Sequence, residues 1–205
     1  MTHMTLPRLA PSRLSFTLLL AAWLASGSDG ARAAPAFGGP MISFCDPGTG
    51  PVQACPCANM PSGALRGCDN SSFTGGASLD ANGVASTDPL LDTLVFTTTN
   101  ELPQAASAVM QGTVPIASGL VFGQGLRCVG GQLKRLYVKL AVGGSISAPM
   151  LGDPSVSARS AALGDVLLPS ATRYYFVYYR DPWVLNFCPA TSTFNSTQAG
   201  QIDWQ

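Results

Sequence analysis

The residues of this chain with chemistry to offer are six cysteines, one histidine, a thin scatter of carboxylates and one run of aromatic side chains. Cys45, Cys55, Cys57, Cys68, Cys128 and Cys188 form an even set, which in an exported chain reads as a disulfide framework. Four of them crowd into FCDPGTGPVQACPCANMPSGALRGC, a Gly- and Pro-dense stretch without hydrophobic periodicity. The sharper alternative is a four-thiolate zinc site. Against it, Cys55 and Cys57 are spaced C-x-C rather than C-x2-C, and oxidising compartments favour disulfides. Six cysteines allow fifteen pairings. The expectation adopted pairs Cys128 with Cys188 and leaves the four N-terminal cysteines to pair among themselves.

The histidine matters by its position. His3 is the only one, and it lies at the extreme N-terminus. Without another imidazole, residues 34–205 cannot build Ser-His-Asp or Cys-His nucleophilic machinery. No G-x-S-x-G elbow occurs, and neither Lys134 nor Lys139 completes an S-x-x-K pattern. A carboxylate pair for polysaccharide hydrolysis stays open among the aspartates and Glu101, although spacing nominates no two of them. CDNSSFTGGASLDANG offers Asp69, Asn70, Asp80 and Asn82 as oxygen ligands for calcium, the one cofactor in view. The run lacks the EF-hand pattern, and Asx and Gly residues make turns without any ion, the reading preferred here.

The recognition candidate is RYYFVYYR at 173–180. Alternation puts Tyr174, Phe176 and Tyr178 on one face of a strand and Tyr175, Val177 and Tyr179 on the other. One face is expected to fill a core. The other, drawing on Tyr174, Tyr175, Tyr178 and Tyr179 with Trp183 beyond the Asp181-Pro182 stop, is a candidate for stacking on sugar rings or a protein partner. Coverage of both faces is the simpler outcome for so apolar a strand.

These groups must be positioned by the elements around them. Residues 1–33 read as a signal peptide: Arg8 and Arg13 are followed by the apolar run 14–25 and by Ala31-Arg32-Ala33 as a cleavage site. That run is about twelve residues, short of the roughly twenty that span a bilayer. The chain has 11 basic and 11 acidic residues; losing Arg8, Arg13, Arg32 and Asp29 with the leader leaves 8 against 10. No basic footprint for nucleic acid is present. The 46% hydrophobic content argues against disorder.

Beyond the leader, strand periods dominate. In QLKRLYVKLAV, Leu136, Val138, Leu140 and Val142 alternate with Arg135, Tyr137 and Lys139. Gly130-Gly131 before it is a two-residue hairpin signal joining GLRCV to that strand. LLDTLVFTTT at 90–99 is rich in β-branched residues, and the tail FNSTQAGQIDW is expected to close a sheet with Ile202 and Trp204 on one face. PQAASAVMQ at 103–111 is the main helix candidate, and Gly and Pro break longer ones. The expected fold is all-β: an antiparallel β-sandwich or jelly-roll-like domain over 34–205, with a loop-rich cysteine cap at 34–88 and a core at 89–205.

The segments ACPCANMPSGALRGCDNSSFTGGASL, FGQGLRCVGGQLKRLYVK, DPSVSARSAALGD, YYFVYYRDP and FNSTQAGQIDW together resemble a family of uncharacterised secreted bacterial domains. The resemblance implies export and a cysteine-bearing β-rich module, and it carries no catalytic residue across. The expectation is therefore an extracellular, periplasmic or surface-located module without catalysis, with no membrane span after leader cleavage. Its partner would be a glycan, a cell surface or an extracellular protein. A calcium-dependent version of the module and a carboxylate-based polysaccharide hydrolase are the alternatives.

Overall fold

Glycine and proline cut the chain into short extended runs, and these form eleven strands and one seven-residue helix among the described residues of the computed structural model. Those residues are Met1, 40–185, 187–189 and 191–205; the expected signal peptide lies outside them. The strands are β1 (Met41–Phe44), β2 (Ser78–Asn82), β3 (Val95–Thr99), β4 (Ala106–Gly112), β5 (Val114–Phe122), β6 (Gly125–Gly130), β7 (Lys134–Leu140), β8 (Ser147–Ala148), β9 (Thr172–Arg180), β10 (Phe194–Ser196) and β11 (Ala199–Asp203). The helix, α1 (Val156–Ala162), precedes β9. Every strand pair is antiparallel, as an all-β chain with short connections requires.

The largest sheet runs β1-β11-β9-β4-β7, with β10 also paired to β9. The aromatic strand β9 is thus interior to it. On one face, Tyr175, Val177 and Tyr179 join Val109, Leu136, Ile202 and Trp204 in a core shared with Leu79, Ala81 and Phe96 of the β2-β3-β8 sheet. On the other face, Phe176, with Tyr174 and Tyr178 partly buried, packs against Cys128, Val129 and Phe122 of the β5-β6 pair. The central sheet is therefore covered by a three-stranded sheet on one face and a two-stranded hairpin on the other.

Three local expectations change. Residues 106–111 are strand β4 rather than helix, because pairing with both β7 and β9 outweighs a weak helical preference. Gly130-Gly131 does not join a hairpin: β6 pairs with β5 and β7 with β4, so the glycines pass the chain from one layer to the next. The tight hairpin is Phe122-Gly123-Gln124-Gly125, where Gly123 has φ +64 and a Cβ would strike the Phe194 carbonyl. In β7 the register shifts opposite Val109/Met110, so Leu136 and Tyr137 both reach the core. Val138, Leu140 and Val142 are consequently exposed.

Candidate functional site

The cysteine cap is tied down by backbone contact as well as by covalent links. Gly67 lies so close to β10 that a Cβ there would collide with the Ser196 carbonyl oxygen. Asn195 donates to the carbonyls of Asp69 (2.8 Å) and Cys68 (3.3 Å). Asn59 Nδ2 donates to the carbonyls of Asp69 (2.6 Å) and Gln124 (2.9 Å), fixing the cap to the β5-β6 turn. The bridges are Cys45–Cys128, Cys55–Cys68 and Cys57–Cys188, and no cysteine is free. This corrects the expected Cys128–Cys188 pair. Cys128 is carried on β6 under β9, beside the end of β1, while the β9–β10 connection returns Cys188 to the cap. Neighbourhood in sequence misjudged both partners.

The β9–β10 connection is held by the same elements. Gln124 Nε2 donates to the carbonyls of Asp181 (3.2 Å) and Trp183 (3.1 Å), and its Oε1 accepts from the Leu185 N–H at 2.8 Å. The fully buried Asp181 carboxylate accepts from the Ser71 N–H at 3.1 Å and from the Ser71 hydroxyl. Desolvation raises its pKa against those hydrogen bonds. Cap and connection meet at a cleft of about 330 Å³ lined by Cys57, Ala58, Asn59, Met60, Asp69, Phe73, Leu185 and Phe187.

The two phenylalanines at this cleft are unusual in the same two ways. Phe73 is 76% and Phe187 88% exposed, and both have left-handed backbone, with φ +54 and +74. A bulky side chain at positive φ is strained by about 1–3 kcal/mol, and an exposed ring recovers no burial energy to offset it. Trp183, on the same connection, is 77% exposed. Neither phenylalanine follows from the strand pattern. The available signal was an aromatic residue stranded among turn formers, as in Asn70-Ser71-Ser72-Phe73-Thr74-Gly75.

The expected aromatic face is distributed differently. Tyr175 and Tyr179 are fully buried and make no surface. The Tyr175 hydroxyl accepts from Trp204 Nε1 (3.0 Å) and donates to Gln111 Oε1 (3.1 Å), while Tyr179 accepts from Asn70 at 3.4 Å. Tyr174 and Tyr178 are half-buried against Phe44 and against Phe122 and Phe194. Of the five side chains expected at a binding surface, Trp183 alone is open to solvent.

The candidate calcium residues separate. Asp69 Oδ1 accepts from the N–H groups of Asn70 (2.8 Å), Gly75 (2.8 Å) and Gly76 (3.1 Å), organising a turn. Asn70 is buried and donates to Thr74, to the Asn100 carbonyl and to Tyr179. Asp80 and Asn82 lie on β2 and face solvent, with Asp80 bonded to the Ala81 N–H. Among the described residues no group of three or more His, Cys, Asp or Glu is arranged to hold a metal ion. Glu101 is also buried: it accepts from Ser107, its Oε1 has no partner, and desolvation raises its pKa. Glu101 and Asp181 therefore face protein rather than an open cleft.

The fold and this corner define an all-β, antiparallel, disulfide-bridged chain, and no described helix is long and apolar enough to cross a membrane. No family model, curated protein or solved structure matches it.

Proposed function

We propose that the chain is an exported, non-catalytic binding module that holds a glycan, a cell surface or a protein partner at the corner formed by the cap and the β9–β10 connection. The observation that carries this is the pair Phe73 and Phe187: exposed aromatic rings on strained backbone around one cleft. Exposed rings on left-handed backbone at a concave surface fit a recognition site, because folding stability alone selects against that combination. Three disulfides support an oxidising, exported location. The absence of histidine beyond His3 supports a role without nucleophilic catalysis.

The test is a pull-down of insoluble envelope, cell-wall and extracellular matrix fractions by the wild-type chain and by Phe73→Ala, Phe187→Ala and Trp183→Ala variants. Retention by wild type, with loss in the phenylalanine variants at unchanged melting temperature, supports the module. Equal retention by all four chains refutes the corner as the site.

A further inference from the structure

We infer that the cleft between Phe73 and Phe187 takes an organic cation, an ammonium head group seated against the rings with Asp69 as its counter-charge; this rests on the reading of the corner as a binding site. Three observations converge. First, the lining is aromatic and apolar, with Phe73, Phe187, Met60 and Leu185 around a single carboxylate residue, Asp69. An aromatic face attracts a cation through its quadrupole, by about two- to fivefold in affinity (about 0.5–1 kcal/mol) for each ring at an exposed site such as this. A neutral sugar would call instead for several convergent hydrogen-bonding side chains. The other polar side chain in the lining, Asn59, is consumed internally: it donates to two carbonyls and accepts from the Cys57 N–H at 3.2 Å.

Second, the Asp69 charge is unneutralised among the described residues. Its Oδ1 takes three backbone N–H bonds, while no donor among the described residues reaches Oδ2. The ion pairs of the described residues are Lys139–Asp153 and Arg173–Asp165, neither at this corner. Arg66, in the cap, turns its guanidinium to the Gly76 carbonyl at 3.2 Å. Asp181 is fully buried and does not line the cleft, so Asp69 is the carboxylate that faces it. Third, about 330 Å³ sits at the small end of the range for ligand sites, suited to a head group rather than an extended chain.

The test compares choline with its neutral carbon isostere, 3,3-dimethylbutan-1-ol, each titrated into the full chain and followed by calorimetry and by chemical-shift changes at Phe73 and Phe187. Two rings and a carboxylate predict a preference for choline of about tenfold. Phe73→Ala should abolish choline binding while leaving the fold intact, since the ring is exposed. Asp69→Asn keeps the Oδ1 acceptor and removes the charge; it should erase the preference and leave isostere binding unchanged. Equal binding of the two probes, with shifts at both rings, overturns the cation inference and leaves the binding module standing. No shift at either ring with either probe also overturns it, and the module then rests on the pull-down.

Discussion

Removing the Cys57–Cys188 bridge is expected to destabilise the chain more than removing Cys55–Cys68, by an amount that follows from the connectivity. Cys55 and Cys68 are 13 residues apart, and neither other bridge offers a shorter path. A loop of that length constrains the unfolded chain by about 3 kcal/mol. Cys57 and Cys188 are 131 apart in sequence, but the Cys45–Cys128 bridge shortens the path. It runs 12 residues from Cys57 to Cys45, across the bridge, and 60 more from Cys128 to Cys188. A closed loop of about 72 residues is worth about 4.4 kcal/mol in the same chain-entropy picture. The paired variants are Cys55→Ala with Cys68→Ala, and Cys57→Ala with Cys188→Ala, each unfolded in urea at neutral pH without reductant. The second pair should lose about 1.4 kcal/mol more than the first. It should also weaken retention at the aromatic corner, because Phe187 adjoins Cys188. An equal or smaller loss in the second pair would refute the assigned connectivity or the unfolded-state argument built on it.

Two buried carboxyl groups give opposite pH signatures. Desolvation raises the Glu101 pKa, so the stability it contributes is present below the unfolded carboxylate range and is lost as pH rises through the folded value. Glu101→Gln should therefore become increasingly stabilising relative to wild type as pH rises from 4 towards 8. The gain is about 1.4 kcal/mol for each pH step between the unfolded and the folded pKa, and it levels off above the latter. A constant difference in unfolding free energy between the two chains across that range would contradict the assignment. Asp165 behaves conversely: Arg173 hydrogen bonding lowers its pKa, so its contribution is present above the unfolded value and is lost as pH falls through the folded one. Asp165→Asn should cost about 2 kcal/mol at pH 7, and the cost should shrink progressively as pH falls below the unfolded carboxylate range, read by urea midpoints along that series.

What could be read from the sequence was the side-chain period, and what could not was the third dimension of each loop. RYYFVYYR announced a strand, and Ile202 with Trp204 announced a buried face, because alternation and apolarity are local properties. The single face expected for Leu136, Val138, Leu140 and Val142 is split, with Leu136 buried and the other three exposed, because a bulge against Val109/Met110 alters the register and has no signature in the apolar pattern. Gly123-Gln124 is the real hairpin turn, hidden behind the louder Gly130-Gly131. The binding corner was least legible. Trp183 was visible as an aromatic residue past a Pro stop, but Phe73 and Phe187 lie 114 positions apart and come to line one cleft in a region where Cys57 binds Cys188 and Gln124 holds the connecting loop.

The strained aromatic corner, and not the aromatic strand, is the proposed recognition surface. It is tested most directly by retention on envelope and matrix fractions of Phe73→Ala/Phe187→Ala beside Tyr174→Leu/Tyr178→Leu, each checked for an unchanged fold by circular dichroism. At least a tenfold loss is expected for the first pair, equivalent to about 1.4 kcal/mol, with near wild-type retention for the second. Loss confined to the tyrosine pair would contradict the proposal.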